Sequence, residues 1–126
     1  MIAALLAMAL QGQTIAEMRH ARRVLIVAAP SAQDPQRQVQ EHALRDAGAK
    51  LAERDVTIVD VTGEHVAGAR DAGAALRLRW HLPAGQFAIV LVGKDGHEAL
   101  RRAQPIDATT LIAAIDAMPM RRAGLR

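Results

Sequence analysis

The chain of 126 residues contains no cysteine and no tyrosine, and one Trp and one Phe are its only aromatic side chains. Without a thiol there is no disulfide, no thiolate nucleophile and no cysteine-based zinc site, so this chain alone carries neither disulfide exchange nor peroxidase chemistry. An aromatic content of 2% leaves out the platforms on which single-stranded nucleic acids stack. Concentrated charge is missing too. The 16 basic and 13 acidic residues sum to +3 and are interspersed from Glu17 to Asp116, whereas phosphate backbones call for a basic face. No nucleic-acid partner is expected. The one basic tail, "MRRAGLR", reads as a solvated terminus.

Several reactive patterns are incomplete. His20, His42, His65, His81 and His97 show no pairing at i, i+2 or i, i+4, so no metal site is expected. "VDVTG" has Thr62 where a phosphatase motif needs its second aspartate. "GARDAG" has phosphate-loop glycine spacing without the Lys-Ser/Thr that touches phosphate and magnesium. No cofactor and no catalytic residue is assigned. Lys94 in "VGKDG" belongs to an expected exposed turn, which lacks the desolvation that lowers a lysine pKa.

No hydrophobic run reaches the length of a membrane span, about 20 residues. The apolar stretch Ile2–Leu10, in "MIAALLAMALQGQ", fits instead the core of a signal peptide, with Ala7-Met8-Ala9 as a small-x-small cleavage site. Residues 1–13 are accordingly read as a signal peptide or as a short apolar helix docking on the domain. The first reading predicts a periplasmic or secreted protein whose mature chain starts near Leu10 to Thr14. Residues 14–126 are one domain, long enough for a single core. With 51% hydrophobic residues but few aromatics, that core is built from Ala, Val, Leu and Ile.

Thr14 and Glu17 have capping-box spacing, so a brief helix is expected from Ile15 towards Arg22. Val24–Ala28 is a continuous apolar run, as for a strand covered on both faces. Asp34-Pro35 is an N-cap followed by proline at the first helical position. The helix that follows is expected to bury Val39, Ala43, Ala47 and Leu51, with Gly48 as a weak point. Val56–Val61 is a second strand ended by Thr62-Gly63, and Ala72–Trp80 a second helix on which Leu76 and Trp80 share a face while Arg77 and Arg79 lie on a solvated edge. Phe87–Val92 is a third strand. Asp95-Gly96 turns it into a short edge strand, His97–Arg101. Asp107 caps a last helix with Leu111, Ile112, Ile115 and Met118 inward, stopped by Pro119, and Met118 and Met120 seal the base of the core.

The order β-α-β-α-β-β-α, with a right-handed crossover between parallel first strands and a terminal hairpin, predicts an α/β, thioredoxin-like three-layer sandwich around a mixed four-stranded sheet. A small doubly wound sheet is the alternative, but it expects another parallel strand in place of the hairpin. On "RRVLIVAAPS" (Arg22–Ser31), "FAIVLVGKDG" (Phe87–Gly96) and "IDAMPMRR" (Ile115–Arg122), the chain resembles the DUDES type of thioredoxin-like domains of unknown function. These occur as short, apparently exported bacterial proteins and in animal sushi-repeat and matrix-associated proteins. The chain departs from that pattern at Gly124, where an acidic residue is usual. The resemblance implies fold and export, and supplies no activity.

In thioredoxins the loop after the first strand presents its reactive pair at a helix N-terminus. The corresponding residues here are Ser31, Ala32, Gln33 and Asp34. No histidine stands in the loop to activate Ser31, and Asp34 reads first as a cap. A helix N-terminus still offers N–H groups to a small anion or peptide carbonyl. The thioredoxin cis-proline adjoins the third strand, whereas Pro83 is displaced from it by Ala84-Gly85-Gln86, making Gln86 the polar side chain nearest the expected groove. Ser31, Gln33, Asp34 and Gln86 are thus the candidate ligand contacts. Three functions remain open: a binding module for a protein or peptide partner, a small non-thiol enzyme binding a small or anionic substrate at the same loop, and a structural partner of a cysteine-bearing redox protein. An Arg or His aimed at Ser31 in a concave pocket marks the enzyme, and an Asp34 bonded only to its own helix marks the module.

Overall fold

The computed structural model describes residues 12–125; the apolar run Ile2–Leu10 of the expected leader lies outside them. The described chain is α/β, with a five-stranded mixed sheet in the order β3-β2-β1-β4-β5. The strands are β1 (Arg23–Ala29), β2 (Val56–Thr62), β3 (His65–Ala67), β4 (Ala88–Val92) and β5 (Glu98–Arg102).

β1 is central, and all seven of its residues are buried. It runs parallel to β2 in the register Arg23↔Val56 to Ala29↔Thr62. On its other side it runs antiparallel to β4, with Val24 opposite Val92 and Ala28 opposite Ala88. A strand hydrogen-bonded on both edges and covered on both faces has no position for a polar side chain pointing to water, which accounts for its unbroken apolar run. β4 turns through Asp95-Gly96 into the antiparallel β5, and Gly96 takes a φ of +82° there. The outer strand is half-exposed, as expected of an edge.

The expected sheet of four strands is corrected to five. Thr62-Gly63 does not end the chain's extended path but reverses it, so that Thr62 pairs with His65 and Asp60 with Ala67. Gly63 supplies the positive φ, +59°, at the first position of the two-residue turn, where glycine is favoured. The returning strand is three residues long, too short to show alternation.

Helices cover both faces. On one side lie α1 (Pro35–Leu44), α2 (Gly48–Glu53) and α4 (Ala108–Asp116), whose Leu44, Leu51, Leu111 and Ile115 meet Leu25, Val27, Ile89 and Leu91. On the other lie α3 (Gly73–Trp80) and a single 3-10 turn, Ala16–Met18, which set Leu76, Trp80, Ile15 and Met18 against Val24, Ile26, Val59 and Val90. The capping-box pair closes that turn reciprocally: the Glu17 carboxylate accepts from Thr14 N at 2.8 Å, and Thr14 Oγ1 accepts from Glu17 N at 3.2 Å.

The first half of the face expected on the first helix, Val39 and Ala43, is displaced by one residue to Gln40 and Leu44, while Ala47 and Leu51 are buried as expected. Val39 is 57% exposed while Gln40 is 1% exposed, and the inward positions run Gln40, Leu44, Ala47, Leu51. The continuous helix is also broken, by a 3-10 turn at Arg45–Ala47, so the expected weak point at Gly48 marks the restart rather than a kink. What draws Gln40 inward is Ile106: its side-chain amide donates to Ile106 O and accepts from Ile106 N, both at 2.8 Å. Pro119 likewise has a second role. The helix before it ends at Asp116, and Pro119 opens a short α5 (Pro119–Arg122) as its first residue.

Candidate functional site

The C-terminal end of β1 carries the residues expected to contact a ligand. Asp34 caps α1, its carboxylate accepting from Gln36 N at 3.1 Å and Arg37 N at 3.2 Å. Ser31 and Gln33 are exposed and Asp34 half-buried, and Asp34 N donates to Ser31 O at 3.2 Å. Arg37 bonds this loop at the Ala32 carbonyl, and its other bonds lead away from Ser31. Its guanidinium reaches Asp60, donates to Ala32 O at 3.1 Å and meets Glu41 at 3.5 Å. Hydrogen bonding to Asp60 raises its pKa above the ordinary value. Gln86 is exposed in the loop between α3 and β4. Nothing bonds it to Ser31, Gln33 or Asp34, and every described peptide bond, Leu82–Pro83 included, is trans.

A residue that sequence reasoning placed on a solvated edge joins the loops at this end. Arg77 is half-buried; its guanidinium donates to Gly63 O, in the β2–β3 turn, and to Pro83 O at 3.3 Å. The turn in its turn donates from Gly63 N to Ala29 O, the last residue of β1, at 3.1 Å. A single side chain therefore holds the β2–β3 turn and the Pro83 loop in fixed relation. Its spacing from Leu76 and Trp80 gave the wrong exposure because its partners are backbone carbonyls, which leave no trace in side-chain periodicity. Arg79 does lie outside, stacked 4.1 Å from the Trp80 ring centroid.

The opposite end of β1 is the more heavily ionised. Arg23 is 1% exposed, with Nε donating to Met118 Sδ at 3.3 Å and Nη1 to Arg54 O at 2.8 Å. Lys94 is not the exposed turn residue expected. It is 8% exposed, and Nζ lies 2.8 Å from the Asp55 carboxylate, while its carbonyl accepts from His20 N at 2.6 Å. Asp116 takes Arg54 at 2.8 Å and Arg121 at 3.4 Å, which draws part of the basic tail onto the fold. Met118, Pro119 and Met120 close over this end beside Arg23 and the Gly93–Asp95 turn. The three stretches on which the resemblance rests meet here.

Hydrogen bonding from Arg54 holds the Asp116 carboxyl below its ordinary value of 3.8. A carboxylate whose folded-state pKa is depressed adds stability that is present above its unfolded value and lost as pH falls through the folded one. Asp116→Asn is therefore expected to lower the unfolding free energy read from urea denaturation at neutral pH slightly, by no more than about 1 kcal/mol for so accessible a pair. The difference from the parent should vanish well below pH 3.8. A gap independent of pH would assign the loss to packing instead.

Among the described residues no group of three or more His, Asp or Glu is placed to hold a metal ion, and no helix is long and apolar enough to cross a membrane. Compared with known families, residues 14–124 match the one described as a domain of unknown function, DUF4174. No curated protein matches the chain.

Proposed function

We propose that the chain, which belongs to the DUF4174 family of domains of unknown function, is an exported thioredoxin-like binding module whose contact surface is the C-terminal end of β1. The parallel β1–β2 pair, the antiparallel β4 on the other side of β1, the β4–β5 hairpin and the closing helix support the thioredoxin-like reading. β3 is then an addition at one edge.

One observation carries the choice of module over enzyme. Asp34 bonds backbone N–H groups of its own helix, and the guanidiniums at this end are engaged elsewhere, Arg37 by Asp60, Glu41 and Ala32 O and Arg77 by Gly63 O and Pro83 O. None of these groups is directed at Ser31, so the loop offers no activated nucleophile. A partner would instead meet the exposed Ser31 and Gln33 on one loop and Gln86 on the other, with Arg77 keeping the second loop rigid. Preformed loops of this kind lower the ordering cost of association.

The test is capture from the native envelope fraction with the full chain and with a Gln33→Glu/Gln86→Glu variant. Both positions are exposed, so folding should be untouched. The expected result is a partner retained by the parent at physiological salt and lost by the variant. Equal retention by both, or nothing above background with either, rejects this surface. Export is read in the same preparation: the N-terminus of the purified chain should fall between Leu10 and Thr14, and an intact Met1 on protein from the cytosol would reject it.

A further inference from the structure

The end of β1 away from the proposed contact surface holds a buried cation, Arg23, whose neighbouring carboxylates, Asp55 and Asp116, are shared with other cations. Arg23 is 1% exposed, and a charge so placed is ordinarily paired with an opposite one. Its bonds go to a thioether and to a backbone carbonyl, neither of which carries charge. The carboxylates around it are engaged by other groups. Asp55 holds Lys94, Asp116 holds Arg54 and Arg121, and Glu98 holds Arg101 at 2.8 Å. Asp95 accepts from His97 N at 3.0 Å.

Those bonds use Nε and Nη1 of Arg23 and leave Nη2 without a hydrogen-bond partner among the described residues. No fully sealed side-chain nitrogen or oxygen among the described residues lacks a partner. Nη2 is therefore not fully sealed, and Arg23 lines the adjoining cavity. That cavity has a volume of about 320 Å³; Ala99, Met118, Pro119 and Met120 form its apolar side and Lys94, Asp95, His97 and Glu98 its polar side, with Met120 39% exposed at its rim. Methionine walls are adaptable apolar surfaces that accept varied shapes.

We propose that this cavity is a binding site for a medium-chain aliphatic carboxylate, its head on Arg23 Nη2 and its tail along Met118, Met120 and Ala99. A single free guanidinium corner matches a monoanion, and the thioether walls match a hydrocarbon body better than a hydrated inorganic ion. The site is independent of the contact surface proposed above, so failure of either leaves the other standing. Desolvation and the neighbouring Arg121 hold the Arg23 pKa below the ordinary value against the opposite pull of Asp55 and Asp116; an anion in the cavity offsets the repulsion from Arg121.

The test follows the methionine ε-methyl resonances of the full chain while octanoate, acetate or octylamine is added. Saturable shifts at Met118 and Met120 are expected with octanoate. Acetate should bind roughly a hundredfold more weakly if three or four methylenes are buried, and octylamine should give no saturable shift. Arg23→Gln is expected to weaken octanoate about tenfold or more. Because Arg23 also ties β1 to Arg54 and Met118, a second variant keeps the fold out of the question: Met120→Glu, at the exposed rim, should abolish octanoate binding with an unchanged circular dichroism spectrum. Octanoate affinity unaltered by either variant, acetate binding as tightly as octanoate, or no saturable shift at these methyls each overturns the proposal.

Discussion

Replacing Gln40 by Ala is expected to destabilise the fold by about 3–4 kcal/mol, because two hydrogen bonds are lost and both backbone groups of Ile106 are left without partners in the interior. The amide of Gln40 spans from α1 to the segment leading into α4, donating to Ile106 O and accepting from Ile106 N, while Ile106 itself is 5% exposed. No water can replace the lost groups cheaply at so buried a position, and the truncated side chain adds a cavity. Gln40→Leu separates the two contributions. It fills the space but leaves the same N–H and C=O unpaired, so it should still cost about 2 kcal/mol. Urea denaturation gives the totals, and hydrogen exchange at the Ile106 amide reports the local effect. Equal stability of Gln40→Leu and the parent would show that the Ile106 groups find other partners.

Gln40 also shows where the sequence could be read and where it could not. Positions with one dominant constraint were legible. The apolar run of β1, the Asp34-Pro35 start of α1, the Asp95-Gly96 turn and the Asp107 cap each follow from local chemistry, and each is found within a residue or so of its expected place. Positions decided by distant partners were not. Hydrophobicity ranks Val39 above Gln40, yet two hydrogen bonds to a residue 66 positions away draw the polar side chain in and turn the valine out. Lys94 sits in a turn by sequence and in the interior by structure, because Asp55 lies across the sheet end to receive it.

The same distinction applies to the two ends of β1. The loop at Ser31–Asp34 was legible as a cap, and its bonds are those of a cap. The cluster at the other end was not legible as a unit, since Arg23, Asp55, Lys94 and Met118 belong to four separate segments and no short motif contains two of them. The one available signal was the tract "RRVLIV" itself. A charged residue at the start of a fully buried strand must turn out to solvent or find partners, and both Arg22, half-buried, and Arg23, the first residue of β1, find partners. Arg22 bonds Thr57 Oγ1 at 2.8 Å beside the next strand, and Arg23 goes inward.

Gly68→Ala is expected to cost about 3 kcal/mol, which for a small domain lowers the melting temperature by roughly 10 °C or more. Gly68 follows β3 with a φ of +96°, where a Cβ is strained whatever its surroundings. The surroundings are closed as well: an added Cβ would stand 2.4 Å from Ile58 O and 3.4 Å from Val59 Cα. Both atoms belong to the backbone of β2, which is held in register by β1, so the neighbour has no side-chain freedom with which to give way. Relief requires β3 to lift from β2, exposing Val61 and the Val66 that packs against the same core. Gly48→Ala is the internal control. Gly48 has helical torsions, φ −53° and ψ −45°, and an added Cβ meets nothing within 4 Å. The same methyl group should therefore stabilise the chain there, by up to about 1 kcal/mol. Opposite shifts in two thermal melts would tie the cost at Gly68 to its backbone and its neighbours. A neutral Gly68→Ala would mean that β3 is free to move away from the sheet edge.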